Sequence, residues 1–182
     1  MDCLDLRSLL IIGGARSGKS RFGQTCAEQS GKKPVLIATA EPGDAEMAAR
    51  IAAHRAARGS RWQVVEERIE LVHALCREAA EDKVLLVDCL TLWLSNLMLL
   101  GRDPEAEGAL LAQSIERLAG PAIFVSNEVG LGIVPENELG RRFRDAQGRL
   151  NQRIAATCAA VVLVAAGLPV IVKPAPHVAF RL

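Results

Sequence analysis

"SLLIIGGARSGKS", residues 8–20, joins a short apolar run to a glycine-rich turn that ends in lysine and serine. Within it, "GGARSGKS" (13–20) matches the phosphate-loop pattern, with Gly13, Gly18, Lys19 and Ser20 at the fixed positions and Gly14, Ala15, Arg16 and Ser17 among them. The chemistry dictates these residue types. Glycines let backbone N–H groups turn inward around phosphate oxygens, and the N-terminus of the following helix adds favourable partial charge. Lys19 is placed to reach the β- and γ-phosphates, and the Ser20 hydroxyl to ligate Mg²⁺. The flanks agree: "SLLII" (8–12) reads as a buried strand, and a helix is expected from about Ser17 to Ser30 with Gly31 as its stop.

Working outward, apolar runs alternate with helical stretches. "PVLIATA" (34–40), "WQVVE" (62–66), "KVLLVD" (83–88) and "AIFVS" (122–126) read as strands. Asp44 can cap a helix from about Ala45 that Gly59 ends, an amphipathic helix runs to about Ala80, and a basic helix covers 139–159. From Ile154 to Val172 no residue is charged, which is near the length of a bilayer span. The stretch is Ala-rich, however, and "GLP" interrupts it at 167–169, so a helix end, a strand, a tight turn and a second strand account for it better. The pattern predicts an α/β chain, a P-loop NTPase with one doubly wound, mainly parallel sheet of RecA-like kind. The expected domain is 9–173, with an N-terminal extension at 1–8 and a tail at 174–182.

Composition sets limits on function. Of 182 residues half are hydrophobic but only 3% aromatic, an aliphatic balance suited to strands buried on both faces. A formal charge of +1 argues against a general affinity for nucleic acid. Five cysteines, widely spaced and without a CxxC pair, point to a reducing cytoplasm rather than to disulfides or zinc. Asp2 and Asp5 precede a very short apolar run, so no leader segment is expected.

A P-loop needs a second carboxylate for its metal, and Asp88, closing "VLLVD", has the form of an acid ending a hydrophobic strand. These elements imply triphosphate binding without naming a reaction. In "EMAARIAAHRAARGSRW" (46–62) helical spacing aligns Arg50, His54 and Arg58 on one face. The stripe can be a solvated surface complementing the helix C-terminus. Alternatively, Arg50, Arg55 and Arg58 keep the imidazole neutral and hold a polyphosphate, so that His54 can attack phosphorus. His73 is expected to serve packing or a hydrogen bond. "NEVGLGIVPEN" (127–137) reads as an ordered loop beyond a strand end, where open α/β sheets bind ligands. Asn127 and Glu128 are candidates for substrate contact, against the alternative of a loop fixed by its own hydrogen bonds or by a subunit contact.

Taken in order, "GGARSGKS", "ATAEPGDAEMAARIAAHRAARGSRWQVVE", "LLVDCLTLWLSNLM" and "SNEVGLGIVPENELGRRFRDAQGRLNQR" resemble the bifunctional adenosylcobinamide kinase / adenosylcobinamide-phosphate guanylyltransferase family of cobalamin biosynthesis. The resemblance runs from about Leu9 to Lys173. It implies phosphorylation of the aminopropanol hydroxyl of adenosylcobinamide by ATP or GTP. It also implies transfer of GMP from GTP to that phosphate, giving adenosylcobinamide-GDP and pyrophosphate. The guanylylated histidine of the family falls on His54; some relatives carry two successive histidines there, whereas Ala53 precedes it here. Nucleotide contacts carry over to the P-loop, to Ala38, Thr39 and Ala40, to Arg55, Ala56, Ala57 and Arg58, to Glu66 and to Asp88. Mg²⁺ on Ser20 and Asp88, a corrinoid partner, no nucleic acid, no membrane span and a homo-oligomer, with a trimer implied, complete the expectation. A plain P-loop kinase with His54 incidental and a nucleotide-gated binding module stay open as alternatives.

Overall fold

A computed structural model describes residues 6–40 and 61–174. Seven strands form one sheet: β1 (Ser8–Gly13), β2 (Lys33–Ala38), β3 (Gln63–Glu66), β4 (Lys83–Asp88), β5 (Ala122–Asn127), β6 (Ala160–Ala165) and β7 (Leu168–Lys173). Their order across the sheet is β3-β2-β4-β5-β1-β6-β7. Every neighbouring pair is parallel except β6 and β7, which form an antiparallel hairpin. The doubly wound, mainly parallel sheet expected from the sequence is therefore present.

Strand alternation sorts the aliphatic side chains into two layers. On one face Ile11, Leu36, Leu86, Val125 and Val164 pack with Ala27, Phe22 and Cys26 of helix α1 (Lys19–Gln29). On the other, Leu10, Ile37, Leu85, Val87 and Phe124 meet the remaining described helices. These are α2 (Leu71–Glu78), α3 (Leu90–Leu99), α4 (Pro104–Ile115) and α5 (Glu138–Thr157). Burial on both faces is what turns the aliphatic runs into central strands.

Local signals explain several boundaries. Gly18, at φ 98°, occupies a left-handed conformation that L side chains resist, and α1 starts directly after it. Asp103 caps α4 by accepting from Glu105 N–H at 2.9 Å, with Pro104 in the first turn. The turn of the final hairpin lies at Ala166 and Gly167, at φ 50° and 81°. Leu168 and Pro169 already belong to β7, so the turn falls slightly earlier than "GLP" suggested; Pro169 is tolerated because β7 is an edge strand. Strand β1 begins at Ser8, whose hydroxyl accepts from Ala159 N–H at 3.0 Å, and Arg7 C=O accepts from Ala122 N–H at 3.0 Å. No helix among the described residues is long and apolar enough to cross a membrane.

Candidate active site

The parallel topology brings the carboxyl ends of β1, β5 and β4 side by side, and the turn from β1 into α1 wraps over them. A side chain cannot be added at Gly13: a Cβ there would lie 2.5 Å from Val164 C=O and 2.8 Å from Ser17 Oγ. Gly13 C=O accepts from Glu128 N–H at 3.0 Å, which ties the loop to the end of β5. Across the turn, Ser17 C=O accepts from Gly167 N–H at 2.8 Å, so the β6–β7 hairpin supports the loop from the other side. Gly14, Ala15 and Arg16 are exposed, and Arg16 adopts φ 56°. A glycine-rich turn of this kind, leading into a helix N-terminus, can form an anion-binding concavity.

Lys19 is buried, with its side chain folded into the cradle, and its ammonium donates to Gly14 C=O at 2.8 Å. An ammonium so placed sets a positive charge inside the loop, beside a helix N-terminus that also favours anions. Ser20 donates from Oγ to Asp88 Oδ1 at 3.3 Å. This contact joins the first turn of α1 to the end of β4 and groups a hydroxyl with a carboxylate, hard oxygen donors that suit Mg²⁺ completed by phosphate oxygens and water. The donor set fits the metal. The Ser17 hydroxyl is buried and makes no hydrogen bond with the described residues.

Asp88 is held from behind. Thr39, fully buried, accepts from Cys89 N–H at 2.9 Å and donates to Cys89 C=O at 2.7 Å through the same hydroxyl. Its amide donates to Asp88 C=O at 3.3 Å, and its carbonyl accepts from Asn96 Nδ2 at 3.0 Å. Every polar group of Thr39 is thus engaged in fixing the β4–α3 turn, with Ala38 and Ala40 half-buried on either side. Burial, followed by the charge of Asp88, pushes the Cys89 thiol up to about 11, so it stays protonated and inert. Glu66 ends β3 in register with Ala38, and Ala38 in turn with Asp88. Glu66 and Asp88 therefore share one row and one face, two strand spacings or about 10 Å apart.

The end of β5 rests on a polar network that sequence reasoning missed. Ser126 Oγ donates to Asn151 Oδ1 at 2.7 Å, while Gln147 Nε2 donates to Ser126 Oγ at 3.0 Å and to Asn151 Oδ1 at 2.9 Å. All three residues are buried. Asn151 Nδ2 then donates to Asn127 C=O at 3.0 Å, and Thr91 Oγ1 accepts from Asn127 N–H at 2.8 Å. One signal was available: Gln147 and Asn151 lie at i and i+4 in the same buried stripe as Leu150 and Ile154, polar residues where a helix of this sort carries aliphatics. Beyond Asn127 the loop displays Leu131, Ile133 and Val134 to solvent and is anchored by Arg141, whose guanidinium donates to Pro135 C=O at 3.0 Å.

Not all expected site residues can be placed. His54, Arg55, Ala56, Ala57 and Arg58, with Arg50, lie outside the described residues. His73 is exposed on α2 rather than packed. Among the described residues no cluster of three or more His, Cys, Asp or Glu side chains could hold a metal by itself.

Residues 9–172 match the family described as cobinamide kinase / cobinamide phosphate guanyltransferase. The chain is 49% identical over 170 residues to the bifunctional adenosylcobalamin biosynthesis protein CobP of Pseudomonas aeruginosa, covering 92% of this chain and 98% of that protein. It is 38% identical over 180 residues to the bifunctional adenosylcobalamin biosynthesis protein CobU of Salmonella typhimurium, covering 91% and 99%. Among solved structures, a prototypical ATPase from the type III secretion system of pathogenic bacteria superposes with a TM-score of 0.53 at 14% identity, over 86% of this chain and 50% of that one. At that identity the likeness concerns the P-loop NTPase fold alone. The chain that carries this cradle, buried lysine and hydroxyl–carboxylate pair therefore belongs to the cobinamide kinase / cobinamide phosphate guanyltransferase family.

Proposed function

We propose that this chain carries out two successive transfers on a corrinoid, both drawing on a nucleotide at the P-loop. In the first, the aminopropanol hydroxyl of adenosylcobinamide forms a bond to the γ-phosphorus of ATP or GTP. The bond from that phosphorus to the β-bridging oxygen breaks, the nucleoside diphosphate leaves, and the hydroxyl proton passes to solvent. In the second, an imidazole nitrogen of His54 attacks the α-phosphorus of GTP and displaces pyrophosphate, leaving a phosphoramidate-linked GMP. The phosphate of adenosylcobinamide phosphate then attacks the same phosphorus, gives adenosylcobinamide-GDP and frees the histidine.

The observation that carries the reading is the buried Lys19 in its glycine cradle with Ser20 held on Asp88, within a chain that matches the family over 9–172. Lys19 neutralises and orients the triphosphate. Ser20 and Asp88 would hold Mg²⁺, which would supply positive charge against the phosphates. We assign the remaining nucleotide contacts to the loop residues Gly13 to Gly18, to Ala38, Thr39 and Ala40, to Arg55 to Arg58 and to Glu66. His54 is the nucleophile, and the flanking arginines disfavour its protonation. We also assign the chain to the cytoplasm, in keeping with free Cys26, Cys76, Cys89 and Cys158. A trimer is our reading of its assembly, supported by the exposed Leu168, Val170 and Ile171 on edge strand β7.

The covalent step has a direct test. After incubation with Mg²⁺ and α-labelled GTP and then denaturation, label should stay on the wild-type chain, acid-labile and alkali-stable, and be missing from His54→Ala. No label under conditions where GTP binds would overturn the covalent step and leave a plain kinase.

A further inference from the structure

Beyond the end of β5 the chain runs into the loop 128–137, and the cradle itself fixes where that loop begins: Glu128 N–H donates to Gly13 C=O at 3.0 Å. Within the loop Leu131 is 87% exposed and Ile133 98%, and Val134 is exposed beside them. Leu139, in the first turn of α5, is exposed as well. Single exposed aliphatics are ordinary, but three within four consecutive positions, with a fourth close by, make a patch of the kind that marks a contact site.

The loop is held at both ends. Gly130 N–H donates to Glu128 Oε1 at 2.7 Å, and Gly140 N–H to Asn137 Oδ1 at 2.6 Å. Arg141 donates to Pro135 C=O at 3.0 Å and to Glu136 C=O at 2.5 Å. Pro135 packs so closely on Gly140 that a Cβ added there would lie 2.9 Å away. A contact surface fixed in advance loses little conformational entropy when it is covered.

Position and charge identify what covers it. The other turns beside the cradle offer little apolar surface: the β4–α3 turn is buried at Cys89 and Leu90, and the β6–β7 turn presents Ala166 and Gly167. A corrinoid whose hydroxyl is to reach a phosphate in the cradle has to rest its ring close by. That ring is edged by methyl groups and neutral amides, and its cobalt(III) centre leaves adenosylcobinamide a net cation. The charged residues of 127–140 are Glu128, Glu136 and Glu138, all acidic. Carboxylates repel a triphosphate or an anionic membrane surface and attract a cation.

From this arrangement we infer that Leu131, Ile133, Val134 and Leu139 form the surface on which the corrin ring of the substrate docks, with Glu136 supplying complementary charge. The inference rests on the corrinoid substrate proposed for this chain, and it names the part of the chain that recognises it.

The test is equilibrium dialysis of the full chain against adenosylcobinamide, with Mg-GDP present, and separately against Mg-GTP. The chains compared are wild type, Ile133→Ala, Leu131→Ala/Ile133→Ala, Glu136→Lys and Leu100→Ala. All of these side chains are exposed, so shortening them opens no cavity in the core. Leu100 follows the ten residues of α3, about 15 Å along the helix from Cys89, and controls for a general loss of apolar surface. Ile133→Ala should weaken adenosylcobinamide about tenfold, and the double variant more. Glu136→Lys should weaken it several-fold at low salt and less as salt rises. Mg-GTP affinity should stay within about twofold throughout, Leu100→Ala should bind both ligands as wild type does, and sedimentation should show the same assembly for every variant. Unchanged corrinoid affinity in the double variant would overturn the inference, as would a parallel loss of Mg-GTP. A double variant with an altered assembly would give the patch to a second copy of the chain and overturn it too. A wild-type chain that binds Mg-GTP but no adenosylcobinamide would overturn the corrinoid reading and this inference with it.

Discussion

Replacing Thr39 with valine keeps the shape of a fully buried side chain and removes only its hydroxyl. That hydroxyl serves one residue twice, accepting from Cys89 N–H at 2.9 Å and donating to Cys89 C=O at 2.7 Å. The two losses differ in size. Cys89 C=O still receives Trp93 N–H at 3.2 Å, so on that side one net hydrogen bond is lost, about 0.5–1.5 kcal/mol. Cys89 N–H is left buried without that acceptor, which costs about 1–3 kcal/mol. The sum is about 1.5–4.5 kcal/mol, a large share of the roughly 5–15 kcal/mol that holds a domain folded. Thr39→Ser keeps both bonds and gives up one methyl group, about 1 kcal/mol. Urea unfolding of the two variants separates the terms. The prediction is a loss for Thr39→Val at least about 0.5 kcal/mol beyond that for Thr39→Ser, with the slope against urea unchanged. GTP affinity of the folded Thr39→Val chain should stay within a few-fold of wild type, because the hydroxyl faces Cys89. Equal destabilisation of the two variants would refute the reasoning, and so would a Thr39→Val chain of normal stability that has lost GTP binding.

Other consequences are as specific. Asp88→Asn keeps the size of the side chain but removes the charge beside Ser20, so half-maximal turnover should need about tenfold more Mg²⁺; an unchanged requirement would assign the metal to another carboxylate. Burial holds the Cys158 thiol up at about 12 and Cys89 at about 11, whereas Cys76 is exposed, so iodoacetamide at pH 8 should modify Cys76 in the folded chain and reach Cys89 and Cys158 only after denaturation. For Glu67, burial works to raise the carboxyl, but the N–H groups of Ile69, Glu70 and Arg68 outweigh it and hold the group below its ordinary 4.5. A lowered folded value adds stability above the unfolded value, and that stability drains away as pH falls through the folded one. The gap in thermal midpoint between wild type and Glu67→Gln should therefore be constant above about pH 5 and close below about 4.5; a gap that widens in acid would reverse the sign of the argument.

The legible part of this molecule is the part written in short range. The glycines of 13–18 and the aliphatic runs around them are local requirements, and they appear where the sequence placed them. Helix α4 was legible too, from Asp103 and Pro104, but was not assigned. Helix α3 had no such signal: "LTLWLSNLML" is apolar almost all round and shows no stripe of period 3.6, because strand β5 and the neighbouring helices α4 and α5 cover it. The support behind the site was hidden for a different reason. Thr39 lies 50 residues from Cys89, and Ser126 lies 21 and 25 from Gln147 and Asn151, so only the packed fold brings these partners together. Thr39 shows the consequence: no local pattern announces that its polar groups build the turn that follows Asp88. Asn127, by contrast, was within reach of the sequence as the residue that closes a strand, and register sets it level with Gly13.

The most direct test of the account separates the two transfers in one experiment. Adenosylcobinamide is incubated with Mg²⁺, γ-labelled ATP and α-labelled GTP, and the corrinoid products of wild type, Lys19→Ala and His54→Ala are resolved. The account predicts adenosylcobinamide-GDP carrying both labels from wild type, little of either product from Lys19→Ala, and γ-labelled adenosylcobinamide phosphate alone from His54→Ala. A His54→Ala chain that still makes the α-labelled product would contradict it.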